Sequence, residues 1–167
     1  MKDINLLKEV LSVPTKTNQE HRMVEFLVNW LTENNIKHYV DDKMNVYATK
    51  QETSDIPEDF YFPCVISHTD TVHHIDTINI REMMLENAQG ELKPSLKAFN
   101  NSNLPTGIGG DDKCGVFACL TLLKELPNLK QHSLLQKKLA VTVLVPQILR
   151  FLKMLDMVFS LMPLKIG

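Results

Sequence analysis

The stretch Thr106-Gly107-Ile108-Gly109-Gly110-Asp111-Asp112 constrains this chain more than any other. Three glycines in four positions let the backbone turn tightly, and a helical pattern follows at once. From Cys114 to Leu126 the residues Val116, Cys119, Leu120 and Leu123 mark an apolar face, and Pro127 with Asn128 ends it. Upstream, Phe62-Pro63-Cys64-Val65-Ile66 is a continuous apolar run of the kind expected for a strand buried on both faces. Its end delivers Ser67-His68-Thr69-Asp70. Two acid-bearing segments therefore lie where one element hands over to the next, the usual place for ligands in open α/β sheets.

Elsewhere the chain alternates helix and strand. Ile4, Leu7 and Leu11 have helical spacing and Pro14 punctuates them; Met23, Phe26, Leu27, Trp30 and Leu31 predict a helix over 18–35, with Asn18 as cap and Asn34-Asn35 as stop. Residues 36–40 and 44–49 read as a hairpin around Asp41-Asp42-Lys43, and 50–60 as a surface loop. Over 76–105 the turn residues allow a hairpin or loop, and 137–144 reads as another buried strand. The expected class is α/β, with helices packed on a mixed, mostly parallel sheet. No internal repeat is evident.

Composition narrows the partners. With 167 residues, 44% hydrophobic and 23% charged, the chain can bury one core. A net charge of −2 without a basic block gives no footprint for nucleic acid, so a small polar or peptide-like partner fits better. Three cysteines without a CxxC pair, and a start lacking a signal peptide's layout, point to the cytoplasm. The apolar stretch 139–167 is cut by Arg150, Lys153 and Asp156, which argues against a membrane span.

In His68-Thr69-Asp70 the two-residue period of a strand puts both side chains on one side, where the carboxylate can orient the imidazole or reach a metal-bound group. Alone, that tripeptide is weak ground for a metal site. The glycine turn brings Asp111 to the mouth of a helix, where a carboxylate can share its two oxygens; the structural alternative is that Asp111 or Asp112 caps free N–H groups. A phosphate loop fits poorly, since GxxxxGK[ST] is absent and two acids repel phosphate. The cluster His73, His74 and Asp76 reads as a solvated loop, Cys119 as core packing, and His21, His38 and His132 have no partners in sequence.

Together, His68-Thr69-Asp70-Thr71-Val72 and Gly107-Ile108-Gly109-Gly110-Asp111-Asp112-Lys113-Cys114-Gly115 resemble the paired motifs of the zinc aminopeptidase and aminoacylase family, especially its peptidase T branch. The resemblance covers residues 1–143, including a Pro14-Thr15 bend similar to the family's S-x-P-S/T opening. It implies the incomplete amino-terminal half of a dizinc peptidase catalytic domain acting on the amino-terminal bond of short peptides. By match, His68 binds one zinc, Asp70 orients it, and Asp111 bridges two ions roughly 3.5 to 4 Å apart. An anionic bridge also offsets the repulsion between the dications.

The family's Glu-Glu pair, a general base followed by a ligand, has no counterpart, and the sole glutamate after Asp111 is Glu125. The remaining ligands and the dimerisation or lid domain are expected beyond residue 167, so turnover by this chain is expected to be nil or very low. Residues 144–167 form an atypical apolar tail with one acid, Asp156. A shifted reading frame would explain it, since the codons for 153–167 can be chosen so that a one-base displacement encodes a peptide rich in glycines and acids. Two alternatives stay open: a non-catalytic metal-binding or interaction remnant with weak zinc affinity, and a scaffold in which both motifs are structural.

Overall fold

A computed structural model describes residues 3–16, 19–51, 64–72, 77–125, 128–129 and 138–142. Asn18, the loop at 52–60, Phe62, Pro63, the His73-His74 cluster with Asp76, His132 and the tail 144–167 lie outside the described residues. Helix α1 (Ile4–Ser12) starts where the Asp3 carboxylate accepts from the Leu6 N–H at 3.1 Å, and it buries Leu6, Leu7, Val10 and Leu11. Val13 then turns extended ahead of Pro14, as a residue before proline must. Helix α2 (His21–Glu33) is shorter than its sequence pattern, beginning after a buried Glu20 rather than at Asn18. Its end is as expected: Asn34 Nδ2 donates to the Trp30 carbonyl at 2.8 Å, and Asn35 takes φ 55°.

Strands β1 (Lys37–Val40) and β2 (Val46–Gln51) form the expected antiparallel hairpin, with Val40 opposite Val46. After β3 (Cys64–His68), the stretch that sequence left open forms a separate antiparallel sheet of β4 (Asn79–Glu86), β5 (Leu92–Phe99) and β6 (Pro105–Thr106). One device closes all three hairpins. Asp41 accepts from the N–H groups of Lys43 and Asn45, Asn87 from those of Gln89 and Glu91, and Asn100 from those of Ser102 and Leu104. The residue three after each of these is left-handed: Met44 at φ 61°, Gly90 at 79° and Asn103 at 58°.

Helix α3 (Gly110–Glu125) is followed by β7 (Asn128–Leu129) and β8 (Lys138–Thr142). The larger sheet runs β1-β2-β8-β3, with β7 pairing on β2. Its direction corrects the expectation of a mostly parallel sheet, because among the described residues only β2 and β8 pair parallel and every other pairing is antiparallel. Parallel pairing is forced when one helix crosses between neighbouring strands. Here β3 is followed by a three-stranded sheet before α3, and β8 returns antiparallel to it, His68 opposite Lys138. Nor is β3 buried on both faces: Ser67 is buried and Val65 half-buried, while Ile66 on the other face is 45% exposed.

A single apolar stripe was expected on α3, yet it is buried almost all round from Lys113 to Leu123. It packs on β3 and β8 and against α1, while α2 covers β1 and β2, and one core joins Leu7, Leu11, Leu27, Leu31, Phe117 and Leu120. Cys114 and Cys119 are buried thiols, Cys119 in the core as sequence suggested. Among the described residues no helix is long and apolar enough to cross a membrane.

Two of these features are open to measurement. Met44 occupies a left-handed position that costs a side-chain-bearing residue about 1 kcal/mol, so Met44→Gly should stabilise the protein by about that amount in urea denaturation. Burial pushes the Lys113 ammonium down from its ordinary 10.5 to about 8. Between those values the unfolded chain holds a proton that the folded chain has shed, so stability should rise with pH from about 8 to 10.5, by on the order of 3 kcal/mol. Subtracting the same curve for Lys113→Met isolates this rise from the opposing titration of Cys114, whose thiol burial pushes up to about 12.

Candidate functional site

Strand β3 ends at His68, and α3 opens 42 positions later at Gly110; their junction is tied by Asp112. One oxygen of the Asp112 carboxylate accepts from Ser67 Oγ at 2.8 Å and from the His68 backbone N–H at 3.3 Å. The other accepts from the Gly115 N–H at 3.0 Å, three residues on, which is a helix N-cap. Ser67 Oγ also reaches the Asp112 carbonyl at 3.1 Å. Glycine at 115 makes this possible, since a Cβ there would lie 2.2 Å from Asp112 Oδ1.

With Asp112 facing inward, Asp111 faces out. Both have non-helical backbone angles and are joined by a cis peptide. The capping role left open between them belongs to Asp112, and the Asp111 side chain is 96% exposed at the mouth of a cleft. There Asp111 Oδ1 lies 3.0 Å from His68 Nε2. On the other side of the ring, His68 Nδ1 lies 3.2 Å from the Asp70 carbonyl and 3.3 Å from its Oδ1. The fold thus brings together His68, Asp70 and Asp111, the three residues singled out in sequence, around one imidazole.

The cleft holds about 330 Å³ and is lined by His68, Asp70, Thr71, Ile108, Gly109 and Asp111, with Val72 and Gly110. Its wall is knit to the end of α1: the Thr71 hydroxyl donates to the Thr15 carbonyl and lies 3.3 Å from the Thr15 hydroxyl, both residues being buried. Beneath the glycine turn, Lys113 is 1% exposed, with its ammonium donating to the carbonyls of Leu11 at 3.0 Å and Val13 at 2.5 Å. Sequence did not single out Lys113, Ser67 or Thr71 for any role. Capping pointed only to one or other acid, because i to i+3 spacing fits Asp112 and Gly115 but does not say which acid turns in.

An imidazole flanked by acceptors on both nitrogens has an unusual requirement. Neutral histidine carries one N–H, so serving Asp70 at Nδ1 leaves the Nε2 lone pair against the Asp111 carboxylate. A second proton or a cation between Nε2 and Asp111 removes that conflict. Tetrahedral zinc, with bonds of about 2.0 to 2.2 Å, sets such ligand atoms roughly 3.4 Å apart, a few tenths of an ångström from the 3.0 Å seen. In donor type and spacing the pair fits zinc. It supplies two ligands, and among the described residues no group of three or more His, Cys, Asp or Glu is arranged to hold a metal. Glu125 is no substitute for the missing glutamates: it is exposed at the far end of α3, about 20 Å from Asp112 at 1.5 Å per residue.

No protein-family model matches this chain, and no curated protein matches it. Among solved structures, a tripeptidase from Staphylococcus aureus subsp. aureus Mu50 is similar at a TM-score of 0.48 and 19% identity, over 83% of this chain and 34% of that one. The chain spans about a third of that protein's length. A likeness of this size says nothing about activity, and the functional reading rests on the residues themselves.

The two adjacent acids should separate cleanly by mutation. Asp112→Ala removes a cap worth about 1 kcal/mol and takes the charged acceptor from the His68 N–H and from Ser67, which keeps the Asp112 carbonyl, for a total loss of about 3 kcal/mol or more. Asp111→Ala, at an exposed side chain, should change stability by less than about 0.5 kcal/mol. Chemical denaturation of both variants checks the pair of values, and equal losses would contradict the division of roles.

Proposed function

We propose that this chain carries the amino-terminal part of a zinc-dependent peptidase site of the peptidase T-like type, with His68 and Asp111 as metal ligands and Asp70 as the residue that orients His68. The reading is supported above all by the 3.0 Å approach of His68 Nε2 to Asp111 Oδ1, made by two motifs far apart in sequence at the mouth of one cleft. The substrate would be a short peptide, cleaved at its amino-terminal bond. Zinc, when bound, polarises a carbonyl and makes a bound water more acidic. Asp70 keeps the Nδ1 proton in place so that Nε2 presents its lone pair, Asp112 fixes the strand end that carries His68, and Ile108 with Val72 gives the cleft an apolar flank.

A second reading is favoured by the small donor set: a non-catalytic metal-binding or interaction remnant of the same fold, which binds zinc without turnover. Two ligands leave a four-coordinate ion dependent on water or borrowed groups, and loss of a general base alone typically removes 10² to 10⁴ in rate. Calorimetric zinc titration with an assay on di- and tripeptides distinguishes the two. We expect weak zinc binding that Asp111→Ala and His68→Ala each abolish, and turnover at or near background. Unchanged zinc binding in Asp111→Ala would sink the assignment, and a tight two-zinc complex would contradict the two-ligand account.

A further inference from the structure

We propose that Lys113 is a positioning residue for this site, setting the glycine turn, and with it Asp111, by docking the end of α1 beneath the cleft. The inference rests on the reading of His68 and Asp111 given above and adds the element that holds them in register.

Lys113 stands two residues from Asp111 but points the other way. Its ammonium donates to the Leu11 and Val13 carbonyls, which lie at the end of α1, where helix carbonyls lack partners within their own helix. Its backbone N–H donates to the Gly109 carbonyl at 3.4 Å. Gly109, at φ +67°, is caught in between: a Cβ there would sit 3.5 Å from Lys113 Nζ and 3.1 Å from the Thr71 methyl. Thr71 in turn donates its hydroxyl to the Thr15 carbonyl, two residues beyond Val13. Contacts therefore run from the end of α1 through Lys113 and Gly109 to Thr71 and on to Thr15 in the segment that follows α1, and both Gly109 and Thr71 line the cleft.

Packing alone does not call for a cation at this place. Burying an ammonium is costly, and a methionine of similar length would fill the space more cheaply. What methionine cannot do is hold two carbonyls at a fixed point relative to Gly109. Without that hold, the polar ties between segment 13–15 and the cleft wall reduce, among the described residues, to the Thr71–Thr15 contacts, and the turn that aims Asp111 at His68 loses a fixed polar anchor.

The test uses the whole chain, isotopically labelled and free of metal, and reads the His68 ring nitrogens by NMR. Lys113→Met and, as a variant that leaves the buried cation in place, Thr71→Val should both move the Nε2 resonance toward that of a solvated imidazole. Lys113→Arg, which keeps a cation facing the two carbonyls, should restore it in part. Zinc affinity, titrated with the metal alone, should fall about tenfold in the first two variants, as for other residues that orient metal ligands. A lower melting temperature with unmoved His68 resonances in Lys113→Met would mean a structural role only and overturn the proposal. If Lys113→Met does not fold, an unmoved His68 in Thr71→Val overturns it instead. Absence of zinc binding by the unaltered chain would defeat the metal reading, while the ring resonances still decide the positioning role.

Discussion

The Asp112 carboxylate holds the junction on which the site depends. It joins the last residues of β3 to the first turn of α3 through Ser67, the His68 N–H and the Gly115 N–H. Hydrogen bonds to a charged acceptor contribute about 1.5 to 3 kcal/mol each, whereas an exposed ion pair contributes about 0 to 1. The approach of His68 to Asp111 is at most of the second kind, with side chains 39% and 96% exposed. Asp112 therefore sets the geometry and the His68–Asp111 contact follows from it. The demand extends to Gly115, whose missing side chain is the space the carboxylate fills.

Below that junction lies a second constraint of opposite charge. The Lys113 ammonium is buried at a cost visible in its depressed proton affinity, and the two carbonyls at the end of α1 offset part of it. Asp111, Asp112 and Lys113 thus point three ways from one short segment: into the cleft, back to β3, and down to α1. The segment can do this because its backbone is not yet helical at the two acids. A regular helix would place these side chains about 100° apart around one axis, and only some of these partners would be in reach.

Much of this was legible in the sequence, and the limits have physical causes. α1 and the β1–β2 hairpin carry complete local signals, a capping acid and apolar spacing in one, a turn-forming Asp between two short runs in the other. The β4–β5–β6 sheet is hard to read in sequence because β4 is exposed at most positions and neither β4 nor β5 shows a clear alternation; its signals are in the turns, at Asn87 and Asn100, which repeat the Asp41 device. Strand direction was not legible, since pairing between β3 and β8 is decided by tertiary packing and not by any local pattern. For the site, His68, Asp70 and Asp111 are singled out through the resemblance of the paired motifs to a known family, since residue types and spacing in either motif alone are weak ground. They could not rank the two acids, and they gave no reason to bury Lys113, because a lysine in a first helical turn ordinarily faces water.

Stability supplies a motive for every neighbour of Asp111 but not for Asp111 itself. Asp112 caps a helix, Lys113 caps another, and Gly109 and Gly110 permit the turn. Asp111 is almost fully exposed, and its contact with a half-exposed imidazole contributes little even where the ring is protonated. Its contact also competes with the other side of the ring, where Asp70 presents two oxygens to Nδ1. One proton cannot satisfy both sides, so a neutral His68 meets an acceptor with its lone pair. An arrangement that is at best neutral for folding, yet set by hydrogen bonds to a charged acceptor next to it, supports the proposal that a shared cation completes the contact.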